Sequence, residues 1–411
     1  MPDEIYADVA QRIAAVICRD AIRDGDRCNW LGDAMENVGG RMRNVHRSFS
    51  GDLYGGTAGI ALFLAEADRI RPDALFRRTA RAAIEHALRD DSITGTRLLG
   101  FYTGATGIGF TAVCIGEFFE EQGLVDRGLA LVERSSAVDD ASPVDILSGA
   151  AGVIGPLLAL HARHEHAWML ERALAAGDHL LRHARESERG MSWRVLGEEW
   201  ATGDLTGYSH GTAGIALALL ELAHATGEQR FVGPAEDAMR YERSWFSPEQ
   251  QNWPDFRRTG AGAAAPAMGF SLGWCHGAPG IGLSRLRAYR LHPTSEIFED
   301  AAAALRGTYT PLSTLAPTSM FALCHGAAGN AELFLEAGDI LGDPGYTAIA
   351  EAIGRQGIER YHEPRRPWPS GITGGGQTPS LMLGLAGIGY FYLRLHDRAS
   401  VPSLLTIAPV A

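Results

Sequence analysis

Seven times along the chain a Gly-x-x-Gly opens a run of mostly apolar residues long enough for a helix. The copies are GTAGIALFL from Gly56, GATGIGFTA from Gly104, GAAGVIGPL from Gly149, GTAGIALAL from Gly211, GAPGIGLSR from Gly277, GAAGNAELF from Gly326 and GLAGIGYFY from Gly384. Their first glycines stand 48, 45, 62, 66, 49 and 58 residues apart, room in each interval for two helices and their connections. The run after each motif is apolar on more than one face, as in Ile215, Ala216, Leu217, Leu219, Leu220 and Leu222, which suits a helix buried on most sides. The segment before each motif is more amphipathic. In ALFRRTARAAIEHAL the positions Ala80, Ala83, Ile84 and Ala87 form one stripe, with Arg77, Arg78, Arg81 and Glu85 largely off it. The pattern predicts one outer helix leading to one inner helix, seven times.

No convincing strand alternation interrupts this pattern, so the expected class is all-α. The economical arrangement is a single domain over residues 1–411, an (α/α)7 toroid, whose closure hides the apolar ends that an open solenoid would need capped. The solenoid is the structural alternative. The N-terminus, MPDEIYADVAQRIAAVICRDAIRDG, has acids where a signal peptide needs bases and sets Ile5, Val9, Ile13 and Val16 at helical spacing. It reads as an amphipathic helix of the mature protein. No uncharged apolar run approaches the roughly eighteen residues a membrane span needs, so membrane association is expected only through a complex.

Charge and cysteine content narrow the partners. The 411 residues carry 49 acidic against 37 basic side chains, a formal charge of −12, and no Lys/Arg cluster stands out, which argues against nucleic acid. Cys18, Cys28, Cys114, Cys275 and Cys324 are too few, too scattered and odd in number for a secreted disulfide framework. A reducing cytoplasm is the expected compartment.

The register of the motifs predicts proximity. If all inner helices run the same way, the residues just before each first glycine converge on one mouth. At those two positions the fourth, fifth and sixth copies carry Ser209-His210, Cys275-His276 and Cys324-His325, while the others carry Tyr54-Gly55, Tyr102-Thr103, Leu147-Ser148 and Met382-Leu383. Two thiols and three imidazoles at equivalent points are the ligand set zinc prefers, and zinc, unlike copper, needs no redox partner. For one such pair alone, a small buried hydrophobe beside a hydrogen-bonded histidine is the commoner state. The coincidence across three repeats favours the metal. Were Cys275, Cys324 and His325 the ligands, a fourth position would stay open, as in catalytic zinc sites. A closed structural site completed by His210 or His276 is the competing arrangement.

With SHGTAGIA, WCHGAPGIG, LCHGAAGN and SLMLGLAGIGYFYLRL beside the seven glycine motifs, the chain resembles the lanthionine synthetase C-like cyclases over nearly its whole length. The resemblance implies an α/α toroid with one zinc ion on Cys275, Cys324 and His325. It implies intramolecular Michael addition of a peptide cysteine to dehydroalanine or dehydrobutyrine, giving a lanthionine or methyllanthionine thioether. His210 then looks like the proton-transfer group, Asp145 like a functional aspartate that orients it or another group, and His276 like a second proton-transfer candidate. A loop or cap role for Asp145 rivals this, since Asp52 holds the same offset in the first repeat. Several cyclases carry an arginine where this chain has Ser271, so Arg257 or Arg258 is the candidate replacement.

The expected partners are a dehydrated precursor peptide and a separate dehydratase. Trp193, Trp200, Trp253 and Trp368, in the long intervals before the fourth, fifth and seventh motifs, are candidates for a peptide groove or for loop anchors. The pair Glu198-Glu199 has no obvious partner carboxylate. Three other readings stay open: glutathione addition to dehydroamino acids, as eukaryotic relatives suggest, protein prenyl transfer, and a zinc-stabilised peptide-binding scaffold. Prenyltransferases commonly use an aspartate ligand, and none shares this register.

Overall fold

The computed structural model describes residues 4–38, 41–95, 98–197, 200–258, 269–314, 316 and 319–407. In chain order its helices are α1 (Glu4–Arg19), α2 (Thr57–Ile70), α3 (Ala74–Leu88), α4 (Asp91–Thr94), α5 (Ala105–Phe119), α6 (Gln122–Ser135), α7 (Ala150–His164), α8 (Ala167–Arg182), α9 (Thr212–Thr226), α10 (Val232–Arg243), α11 (Ala278–Leu291), α12 (Ser295–Ser313), α13 (Ala327–Leu341), α14 (Pro344–Gly357) and α15 (Leu385–Asp397). The all-α class expected from the sequence holds. Each Gly-x-x-Gly opens one of α2, α5, α7, α9, α11, α13 and α15.

The burial of these helices follows their patterns. In α9 every residue from Thr212 to Ala223 is buried. In α3 the buried set includes Ala80, Ala83, Ile84 and Ala87, while Arg77, Arg78 and Arg81 are exposed. Three antiparallel hairpins depart from the strand-free expectation: β1 (Ile22–Asp24) with β2 (Arg27–Asn29), β3 (Leu31–Val38) with β4 (Arg41–Ser48), and β5 (Arg185–Ser187) with β6 (Gly190–Ser192). Their residues are largely polar, so no apolar alternation announces them. The Gly39-Gly40 dipeptide between β3 and β4 is the sequence signal for a two-residue hairpin.

The chain divides into two compact units. The first comprises Met1–Ser135, Ala316–Glu332 and Ala348–Ser403, and the second Ser136–Leu315, Leu333–Thr347 and Leu404–Ala411. In the first unit α2 packs on α3 and α5 on α6, whereas the last motif helix, α15, packs on the N-terminal α1. The outer partner of the seventh repeat therefore comes from the start of the chain. Tyr6 of α1 meets Tyr392 of α15 with ring centroids 6.1 Å apart. In the second unit α7 packs on α8, α9 on α10 and α11 on α12. Beneath these, Arg285, Glu242 and Asp300 form a buried ion network, with Arg285 donating to Glu242 at 2.8 Å and to Asp300 at 3.1 Å. None of the helices among the described residues is long and apolar enough to cross a membrane.

Candidate functional site

The motif fixes how each inner helix begins. In six repeats the first helical N–H donates to the carbonyl seven residues upstream: Thr57 to Ser50, Ala105 to Leu98, Ala150 to Pro143, Thr212 to Leu205, Ala327 to Met320 and Leu385 to Thr378, at 2.8–3.1 Å. The fifth repeat departs from this. There the Ala278 N–H donates to the side-chain oxygen of Asn252 at 2.8 Å, and the Asn252 amide donates to the Ser271 carbonyl at 2.9 Å. An inserted side-chain amide thus spans what the other repeats close directly. Gly277 there has φ +94°, and a Cβ on it would lie 1.9 Å from the Ser271 carbonyl oxygen, so only glycine fits directly after His276.

The residues two before each first glycine are joined by backbone hydrogen bonds. In the first unit the N–H of Cys324 donates to Met382, that of Met382 to Tyr54, and that of Tyr54 to Tyr102, at 2.8–2.9 Å. In the second unit Leu147 donates to Ser209 at 3.1 Å and Ser209 to Cys275 at 3.2 Å. The common register holds within each unit, with the seventh repeat seated between the sixth and the first. The second glycine of the motif permits this spacing. A Cβ on Gly280 would lie 2.0 Å from the Trp274 carbonyl and 2.9 Å from the Tyr208 side chain of the preceding repeat.

In the second unit, Asp145 and His210 come together. Asp145, 3 % exposed, accepts from His210 Nδ1 at 2.5 Å through one oxygen and from the Ser148 N–H at 2.8 Å through the other. A carboxylate only accepts here, so Nδ1 carries the proton and Nε2 presents the lone pair. One Asp145 oxygen thus faces the backbone of its own loop and the other faces the His210 ring. The His276 ring lies 6.0 Å from that of His210, centroid to centroid, and is 1 % exposed, with neither nitrogen hydrogen-bonded among the described residues. Burial pushes this imidazole down to about 4, against the pull of Cys275 and with the help of the Arg257 charge, so it is neutral near pH 7.

The loop ahead of Cys275 contains a group that sequence reasoning had not singled out. Asp255 accepts from Arg257 Nε at 3.0 Å, from Arg257 Nη2 at 2.7 Å and from the Ser271 hydroxyl at 2.7 Å. Burial would raise this carboxyl, but the Arg257 hydrogen bonds and charge, the nearby His276 and the Ser271 hydroxyl together hold it well below the usual carboxylate range. Arg257 is therefore clamped on the same carboxylate as Ser271, whereas the Arg258 N–H donates to the Trp200 carbonyl. Asn252 and Asp255 both fall in the NWPDFRR stretch. Its Asn and Asp flank a Trp-Pro pair, a signal of a built loop that composition alone made visible only as length.

In the first unit, Cys324 is 2 % exposed and its sulfur accepts from the Tyr54 hydroxyl at 2.9 Å. His325 Nε2 lies 2.9 Å from the Gly371 carbonyl oxygen. A carbonyl can only accept, so Nε2 carries the proton, which leaves Nδ1 as the basic nitrogen, the tautomer a metal-binding histidine held by an outer acceptor requires. Of the four tryptophans weighed for a groove, Trp193 and Trp253 are 1 % exposed and Trp368 7 %, so these three anchor their loops. Trp200 remains 45 % exposed. Glu198-Glu199 and residues 259–266 lie outside the described residues.

The family model for lanthionine synthetase C-like proteins matches residues 47–406. A Danio rerio protein described as glutathione S-transferase LANCL1 is 26 % identical over 366 residues, covering 84 % of this chain and 82 % of that one. A Lactococcus lactis protein described as the lacticin 481/lactococcin biosynthesis protein LcnDR2 is 21 % identical over 327 residues, 74 % of this chain and 31 % of that relative, so the match spans under a third of its length. Among solved structures, a nisin cyclase superposes with a TM-score of 0.67 at 16 % identity, covering 96 % of this chain and 95 % of that one. That likeness carries the fold, all-α as expected from the repeats.

Proposed function

Because the chain belongs to the lanthionine synthetase C-like family, we propose that it is a zinc-dependent cyclase that closes thioether rings in a dehydrated precursor peptide. Cys275, Cys324 and His325 would hold one zinc ion, each offering one donor atom: two sulfurs and an imidazole nitrogen. The donor set fits zinc. The observation that carries the assignment is His325, whose Nε2 is committed to the Gly371 carbonyl and whose Nδ1 is thereby prepared as a ligand. Zinc, when bound, supplies the positive charge that keeps a peptide thiol deprotonated near neutral pH.

The chain's own residues supply the remainder. The peptide sulfur forms a bond to the β-carbon of dehydroalanine or dehydrobutyrine, and the electron pair of the broken C=C π bond moves onto the α-carbon and carbonyl as an enolate. His210 Nε2, held in position through Nδ1 by Asp145, takes the thiol proton and returns one to the α-carbon, so no net proton is gained or lost. The Arg257 guanidinium, fixed by Asp255, is the candidate for stabilising the enolate in place of an arginine at position 271. His276, neutral and buried beside Cys275, is a secondary proton-transfer candidate. The precursor would be delivered by a separate dehydratase, in a reducing compartment.

The Danio rerio relative favours a second reading, addition of free glutathione to dehydroamino acids. One competition separates the two. A peptide bearing one dehydroalanine and one cysteine is incubated with zinc-loaded protein and excess glutathione, and the product is weighed. Ring closure leaves the mass unchanged and removes the alkylatable thiol, as expected here. A product heavier by one glutathione, with its thiol intact, would replace the cyclase reading with the second.

A further inference from the structure

The first unit holds a cavity of about 200 Å³ where α1 faces the segment that follows α14. Four arginines line it, Arg12 and Arg19 from α1 and Arg365 and Arg366 from the segment, together with His362, Trp368 and Leu385. Arg19 is bound to Asp20 at 2.7 Å. Among the described residues no carboxylate pairs with Arg12, Arg365 or Arg366. Of the acidic groups that act on His362, Asp8 is itself bound to Arg71 at 2.5 Å and Glu363 is exposed. In a chain with twelve more acidic than basic side chains, these three exposed guanidiniums without carboxylate partners present a local positive patch to an entering anion.

The backbone here is irregular. After α14 the chain makes a single π turn, Ile358–His362, and Arg365 then adopts the left-handed conformation at φ +56°, which a non-glycine residue holds only against a steric cost. The Arg366 N–H, donating to the Tyr361 carbonyl at 2.9 Å, fixes this turn. Trp368 supports it from below, packing on Tyr361 at 5.1 Å and on Phe321 at 5.2 Å between ring centroids. The same segment continues to Pro369, whose carbonyl accepts from the Phe321 N–H at 3.0 Å, and to Gly371, the acceptor of His325. The cavity and the Cys324-His325 pair are therefore joined by six residues of backbone.

We propose that this cavity docks an acidic, partly apolar stretch of peptide, its carboxylates on Arg12, Arg365 and Arg366 and its apolar side chains against Ile13, Val16 and Leu385. Guanidinium forks match carboxylates and phosphates alike. The apolar half of the lining gives inorganic phosphate nothing, which favours peptide. That the peptide is the enzyme's own substrate rests on the reading above; the binding itself does not.

The test is fluorescence anisotropy with a fluorescein-labelled octapeptide of alternating Glu and Leu, at constant ionic strength. Wild-type protein and Cys324→Ala are expected to bind it equally. Arg12→Gln and Arg366→Gln, each folded by its melting curve, are expected to weaken binding about tenfold, and a Gln-Leu peptide of the same length to bind at least tenfold more weakly. Binding unchanged in both arginine variants, equal binding of the Gln-Leu peptide, or full displacement by inorganic phosphate at matched charge would each overturn the proposal. If Cys324→Ala binds normally while ring closure is absent in the wild type, the cyclase reading fails and the docking site stands.

Discussion

At the scale of single residues, two hydrogen bonds decide which atoms are available for chemistry. The Asp145 carboxylate assigns the His210 proton to Nδ1, and the Gly371 carbonyl assigns the His325 proton to Nε2. Each imidazole is thereby left with one defined basic nitrogen. Replacing His210 by Asn removes the proton carrier and is expected to lower kcat for ring closure by about 10²–10⁴-fold, the usual range for a general acid–base. Asp145→Asn keeps the Ser148 cap and the shape of the site while permitting the wrong tautomer, so its loss is expected to be smaller, with thermal stability and bound zinc unchanged. Single-turnover assays on the two variants, beside metal analysis, would check this. A loss of metal in Asp145→Asn would show that the aspartate serves the fold of the mouth instead. Cys275, Cys324, His325 and His210 stand out in the sequence because the cysteines fall two positions and the histidines one position before the first glycine of a motif, and the donor atoms of the first three lie within 4.8 Å of one another in the structure. Asp255 does not stand out, because its meaning depends on Ser271, sixteen residues away, which shares no motif with it.

At the scale of elements, the fifth repeat differs from the other six in how its helix starts. Direct closure would place the Ser271 carbonyl on the Ala278 N–H, as in the other copies. Instead the Asn252 amide bridges the two, and Gly277 turns to φ +94°. The effect is to reshape the peptide that carries Cys275 and His276 without uncapping α11. Asn252 is 6 % exposed, so Asn252→Ala would leave a buried carbonyl and a buried N–H unsatisfied, a cost of about 1–3 kcal/mol per group. The expected result is a lower urea midpoint with an unchanged m-value, together with weaker zinc retention by a chelator competition. If stability falls and zinc retention does not, the bridge supports α11 alone. This exception was hidden in the sequence, where GAPG looks like any other copy, because side-chain insertion into a loop leaves no periodic trace. The hairpin of β3 and β4 was hidden for a related reason: it ties to the segment after α14 through Asn44 on the Thr373 carbonyl and Asp33 on the Gly376 N–H, polar contacts that burial patterns do not encode.

At the scale of the molecule, the period of the glycine motif carried most of the architecture. The seven motif helices, their burial on most sides and, within each unit, their shared register appear in the structure, because each follows from a local rule repeated. What the period did not reveal is that α15 takes its outer partner from α1, since that pairing joins residues nearly four hundred positions apart. The unit holding the first, second, sixth and seventh motifs therefore contains both ends of the repeat series. The same arrangement places Tyr54 of the first repeat against Cys324 of the sixth, so residues remote in sequence share one mouth.

The proposed activity is the addition of a peptide's own thiol to its own dehydroamino acid. The most direct measurement follows a dehydrated peptide with one cysteine and one dehydroalanine by iodoacetamide alkylation and mass spectrometry over time. Zinc-loaded protein is expected to remove the alkylatable thiol well above the uncatalysed rate with no change in peptide mass, and Cys324→Ala, equally folded, to leave it in place. A thiol that stays fully alkylatable with the zinc-loaded wild-type protein would contradict the account.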